Sequence, residues 1–252
     1  MLQKNTVLTA TQKNEVLEPW HKALGFWQSK KNEAPALQAV RAELTDAETG
    51  QPIPGRVYIK DSSGDWHFVK STTSEGSAVR YEKQNWFKFD SEELHTTVSA
   101  HPFEAKLSPG RYEWVIERGK EYIPSTNIVE VANQPINLSI PLKRWIHVAE
   151  RGWYSGDTHV HRTLKDLPNT MLAEDLNVAF PLTYWVTEAY RAPTSGDKTS
   201  SDTIPNTLIT VDDTHVIWPR NTEWEIFSIG SNRHTLGAVF ALGHKEPFET
   251  GV

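Results

Sequence analysis

Residues Gly152–His161 read GWYSGDTHVH, and the rest of the chain is arranged around how this stretch is understood. It has the look of a strand running into a ligand cluster. Asp157, His159 and His161 stand at i, i+2 and i+4, so in an extended strand they share one face. Two imidazoles at this spacing reach a common metal ion, and a neighbouring carboxylate can join them or orient a ring. The plain alternative is a pair of surface histidines at a strand end.

Outward from this stretch, composition narrows the choices. The chain has 252 residues, 38% of them apolar and 23% charged, with ten tryptophans and a formal net charge of −6. That is enough apolar content for a sizeable core in one or two domains. No basic patch stands out, so nucleic-acid binding has no electrostatic support. No apolar run approaches a membrane span. The N-terminus lacks the apolar core of a signal peptide, which points to the cytoplasm unless the native start lies upstream. There is no cysteine. Disulfides, thiolate metal sites and cysteine nucleophiles are thereby excluded, and any metal must sit on His, Asp and Glu, a set suited to Zn, Mn or Fe.

Three segments differ in character. Residues 1–35 are a helical lead-in: Val16, Trp20, Ala23, Leu24 and Trp27 fall at helical spacing, and Pro19 suits a first turn beginning near Glu18. Residues 36–145 alternate short β-type runs (Val40–Leu44, Arg56–Lys60, Trp66–Lys70, Thr96–Ala100, Tyr112–Glu117, Asn127–Val131, Ile136–Pro141) with turn signals such as DSSGD and LSPGR, which predicts an antiparallel sandwich. His67, His95 and His101 show no paired spacing and read as sheet-surface or loop histidines. Trp66, Trp86 and Phe87 read as packing residues, with an aromatic carbohydrate platform as the alternative. In residues 146–252, LAEDL (172–176) reads as a helix start, and VAFPLTYWV (178–186) as one strand buried on both faces. Residues 191–207 read as a loop, and Glu223–Ile229, GSN and Thr235–Leu242 as strand, turn, strand.

Two resemblances add to this. TDAETGQPIPGRVYIKD and LSPGRYEWVIERGKEY resemble transthyretin-like, carboxypeptidase-regulatory-like sandwich modules. GWYSGDTHVHR, AEDLNVAFPLTYWVT, NTEWEIFS and RHTLGAVFALGH resemble PHP-like metallohydrolases of the CehA/McbA type over roughly residues 143–249. The second resemblance implies a multi-domain β plus α/β protein: a sandwich at 36–145, then the first part of a PHP-type (β/α)7 barrel at 146–252. It implies one or two divalent ions on His159, His161, Glu225 and His234. Glu223, two residues from Glu225 on the same strand face, is the alternative acidic ligand, and Asp157 would hold a histidine ring. The implied activity is a metal-activated water hydrolysing an ester, amide, carbamate or phosphoester of a small-molecule substrate. Arg162 alternates to the opposite face and reads as a rim or structural residue. His215 and His244 are further candidates for the site lining.

Two departures stand against the family pattern. Its Asp-His pair is replaced by Trp185-Val186-Thr187-Glu188-Ala189. The chain also ends about a hundred residues into a domain that needs 200 or more, so the expectation is a fragment or a truncation unable to close its barrel. A non-catalytic binding or surface protein, with the sandwich as its working part and a degenerate or structural metal domain, is the competing reading.

Overall fold

The structure is a computed structural model that describes residue 18 and residues 36–84, 91–195, 203–233 and 237–251. Residues 1–37 and 38–252 separate as two units. Apart from Glu18, which is helical, the predicted lead-in helix lies outside the described residues.

The second unit begins with ten strands: β1 (Gln38–Asp46), β2 (Gly55–Asp61), β3 (Trp66–His67), β4 (Lys70–Ser71), β5 (Ala78–Gln84), β6 (Glu92–Val98), β7 (Phe103–Leu107), β8 (Gly110–Glu117), β9 (Ser125–Val131) and β10 (Ile136–Leu142). They make two sheets, in the orders β10-β1-β7-β4 and β5-β6-β2-β8-β9, with β3 on β2. All pairings are antiparallel except β1 with β10, which run parallel from Val40 opposite Ile136 to Asp46 opposite Leu142. The alternation seen in the sequence is the cause of this layering. Val40, Ala42 and Leu44 of β1, Val57 and Ile59 of β2, and Tyr112, Trp114 and Ile116 of β8 point inward at every second position. They meet Phe103, Ala105, Leu107, Ile140 and Leu142 in one core between the sheets.

Residues after β10 depart from expectation. They form a 3₁₀ turn (Ala149–Arg151), β11 (Gly156–Val160), α1 (Leu167–Ala173), β12 (Val178–Pro181), β13 (Tyr184–Glu188), β14 (Thr194–Ser195), β15 (Ile209–Thr210), β16 (Val216–Ile217), β17 (Asn221–Ile229), β18 (Asn232–Arg233) and β19 (Val239–Leu242). One small sheet has the order β11-β12-β16-β15; another has β14-β13-β17-β18, with β19 also on β17. A (β/α)7 barrel requires a helix after each strand. Here α1 is the one α-helix among the described residues of the segment, so the expected α/β architecture and PHP-type barrel are corrected to a nearly all-β fold.

The physical reasons are local. VAFPLTYWV is not one strand: Pro181, which has no amide hydrogen to continue a ladder, ends β12. Leu182 then donates its amide to the Val160 carbonyl at 2.9 Å, and β13 enters the other sheet. LAEDL closes a helix rather than opening one. Pro168 occupies the first turn of α1, and Asp175 just beyond its end has φ +53°. The Ser-, Thr- and Pro-rich stretch after β13 supplies poor helix formers where a barrel would need a helix.

Asp175 also ties this region to the sandwich. It accepts hydrogen bonds from Arg118 at 2.7 Å and Arg144 at 2.8 Å, and Arg118 donates further to the carbonyls of Pro54 and Leu172. The Arg118 and Asp175 side chains are 8% and 10% exposed. Gly119, at φ +49°, packs so closely on this turn that a Cβ there would lie 2.5 Å from the Glu174 carbonyl oxygen. Removing the shared carboxylate from a buried pair costs about 3 kcal/mol. Asp175→Ala and Gly119→Ala are therefore expected to lower the urea midpoint markedly. Glu104→Ala, which breaks pairs with Arg41 and Lys106, both exposed, should cost about 1 kcal/mol or less.

Asp46 organises the sandwich's first turn. Its carboxylate accepts the amides of Glu48 and Thr49 at 2.9 Å each and the Tyr122 hydroxyl at 2.9 Å. Burial pushes its pKa up, but the Thr49 amide, the Tyr122 hydroxyl and the Glu48 amide together hold it below its ordinary value. A depressed acid stabilises the fold above its unfolded pKa and loses that contribution as pH falls through the folded pKa. Asp46→Asn should destabilise the protein at pH 7 by about 1–3 kcal/mol. In acid denaturation series, the gap from wild type should close towards pH 3.

Candidate metal centre

Three donors converge between β11 and β17. His159 Nε2 lies 3.0 Å from His161 Nε2, 3.7 Å from Glu223 Oε1, and the His161 nitrogen is 3.4 Å from Glu223 Oε2. A four-coordinate ion with ligands at about 2.0–2.1 Å holds its donors about 3.3 Å apart. The triangle therefore fits an N,N,O site with little rearrangement. Its base is buried and its mouth open: the Glu223 side chain is 2% exposed, His161 32% and His159 50%.

The surrounding elements explain the convergence. Along β11, Asp157 pairs with Ala179 and Val160 with Pro181, so β11 spends three residues where β12 spends two. Such a bulge re-aims side chains. Asp157 turns to accept the His159 backbone amide at 2.8 Å. This is not the ring-holding role expected of it. The His159 ring packs edge-on to Phe240 of β19, with centroids 4.7 Å apart. Phe240 is the register partner of Glu223 on β17, while Trp185 of β13 pairs with Glu223 on the other side.

Glu223, not Glu225, meets the histidines. Beyond the Val186–Trp224 pair, β13 takes two residues to reach Glu188 while β17 takes four to reach Ser228. Glu225 falls in this irregular stretch, and its carboxylate accepts a hydrogen bond from Trp185 Nε1 at 3.2 Å. His234 lies outside the described residues. Glu188 is engaged by Arg191 at 2.6 Å.

The other sequence candidates lie apart from the trio. His215 Nδ1 is 2.7 Å from Asp212, a carboxylate that burial pushes up but the Thr214 amide and the His215 ring hold low. His244 sits 2.9 Å from the Thr222 hydroxyl and from the Glu246 carbonyl, with its pKa lowered by burial. Arg162 stacks 4.3 Å over the Tyr81 ring. His67 and His95 pair with Asp61 and Glu93, and His101 with Ser99.

Sequence reasoning missed the polar residues that set β17 in place. Buried Asn221 donates to the carbonyls of Pro181 and Trp218 and accepts the Gly243 amide. Buried Thr183 donates to the Pro219 carbonyl at 2.7 Å. An Asn at a strand start reaching the Pro181 and Trp218 carbonyls carries no sequence signal by itself.

No family model matches the chain, and no curated protein matches it. The CehA/McbA resemblance is thus corrected along with the barrel it implied, and so is the hydrolase-family description that followed from it. Solved structures that are similar over part of the chain include two pilus proteins. One is the group B streptococcus pilus 2b backbone protein, at 12% identity and TM-score 0.29, over 42% of this chain and 41% of that one. The other is GBS52, the minor pilin of Streptococcus agalactiae, at 14% identity and TM-score 0.29, over 45% and 47%. The chain spans less than half the length of either. No described helix is long and apolar enough to cross a membrane.

The geometry separates the two acidic candidates experimentally. By zinc titration calorimetry, Glu223→Gln should weaken binding at least tenfold, a loss typical even of groups that only support a ligand. Glu225→Gln should stay within about twofold of wild type.

Proposed function

We propose that this chain is a binding protein built on a β-sandwich, whose following segment holds one divalent ion, Zn, Mn or Fe, on His159, His161 and Glu223. The observation that carries this reading is the donor triangle of 3.0, 3.4 and 3.7 Å closed on a buried carboxylate. Two imidazoles and one carboxylate suit these borderline cations, and the cysteine-free chain offers no thiolate competitor. The roles divide by burial. Glu223, held between β13 and β19, is the fixed ligand; the two histidines form the exposed rim, with the His159 ring steadied by Phe240.

One observation favours a second reading, metal-assisted hydrolysis of a small ester, amide, carbamate or phosphoester. Three protein ligands with both histidines on the open side leave room for a fourth, exchangeable position, as in catalytic rather than closed structural sites. When bound, such an ion would activate water and polarise a substrate oxygen.

Assays of a generic aryl carbamate and a generic phosphoester, on zinc- and manganese-loaded protein with and without chelator, separate the readings. The binding reading expects one ion per chain, lost in His159→Ala, and no turnover above buffer. Turnover abolished by chelator and reduced at least 100-fold in His159→Ala would instead establish the hydrolase. Protein that retains no metal after dialysis at micromolar zinc would overturn both.

A further inference from the structure

β2 and β8 are central strands, and their outward side chains pair across the ladder: Arg56 with Glu117, Tyr58 with Val115, Lys60 with Glu113. Trp66 of β3, opposite Lys60, and Glu93 of β6 wall a depression of about 320 Å³ over them. A second depression, of about 570 Å³, shares Arg56 and Glu117 and continues to Lys120, Ile123, Pro124 and Trp145. Arg56 and Glu117 line both depressions, so the two adjoin as one trough, Trp66 lining the first part and Trp145 the second.

We propose that this trough binds a neutral oligosaccharide. It deepens the reading of the sandwich as a binding module and uses none of the metal-site residues. The lining carries Arg56, Lys60 and Lys120 against Glu93, Glu113 and Glu117. Three positive and three negative groups cancel, which disfavours an anion or a cation as the occupant. Arg56 is ion-paired with Glu117 at 2.6 Å and with Glu174 at 3.1 Å, so the lining offers donors and acceptors side by side, and a hydroxyl both donates and accepts. Trp145 is 60% exposed yet fixed, because its Nε1–H donates to the Lys120 carbonyl at 2.9 Å. A held, solvent-facing indole is a platform for the apolar face of a sugar ring. Further along, the Tyr58 and Trp66 rings meet edge-on at 6.5 Å, and the Tyr58 hydroxyl donates to Glu93 at 2.6 Å. The Lys60 ammonium, 4.7 Å over the Trp66 ring, is a flexible cover a ligand can displace. A peptide adding as a strand is ruled out here, since β2 is laddered to β6, β3 and β8, and β8 to β2 and β9.

The test is affinity electrophoresis of the full chain in gels containing hydroxyethyl cellulose, xyloglucan or galactomannan, with heparin and polygalacturonate as charged comparisons. Retention by at least one neutral polymer is expected, weakened tenfold or more by Trp145→Ala and by Trp66→Ala. Trp145 is exposed, so its variant keeps the fold even if Trp66→Ala does not. No retention by any neutral polymer, retention by the charged polymers alone, or retention that survives the Trp145→Ala change would overturn the proposal. Zinc stoichiometry on the same samples distinguishes failure of the trough from failure of the metal site.

Discussion

A carboxylate buried to 2% exposure beside two imidazoles is the constraint on which the second half of this molecule turns. A charge taken out of water is costly unless donors or cations face it. Glu223 has the His161 and His159 imidazoles facing its oxygens at 3.4 and 3.7 Å, and its strand β17 is pinned at its start by Asn221 and flanked by β13 and β19. The histidines arrive from β11 (His159) and the residue just beyond it (His161), in another sheet, so the site exists only when both small sheets are formed. This couples local folding to the site: strand order, bulge and ligand triangle stand or fall together.

The link to the sandwich is electrostatic. Asp175, in a left-handed turn after α1, gathers Arg118 and Arg144 from the sandwich side, and Gly119 lets the backbones approach. The neighbouring Ser155 hydroxyl donates to the Asp175 carbonyl at 2.9 Å, directly before β11. A single acidic turn thus fixes where the ligand strand leaves the sandwich. The sandwich itself owes its shape to apolar burial, with Trp114 at 0% exposure at its centre.

Much of the sandwich could be read from residues alone, because alternation in β1, β2 and β8 directly encodes which side chains go inward. Strands β5 and β7 escaped. AVRYEKQ of β5 is mostly exposed, and FEAKL of β7 is short and lacks β-branched residues, so neither carries strong β preference. The second half was misread for a related reason: an apolar run looks alike whether it is one buried strand or two interrupted by Pro181. At the site, the two histidines were legible from spacing. The choice of Glu223 over Glu225 was not, since it depends on a register slip between β13 and β17 that tertiary pairing imposes. Asp157 followed the same pattern, its role changed by a bulge that no local motif announces.

Whether His159, His161 and Glu223 together hold one ion is read out by X-ray absorption on the zinc-loaded full chain. The expected spectrum has imidazole multiple scattering from two rings and a first shell of nitrogen and oxygen at about 2.0–2.2 Å. A shell of oxygen alone without imidazole scattering, or a two-imidazole spectrum unchanged in His159→Ala and His161→Ala, would contradict the proposal.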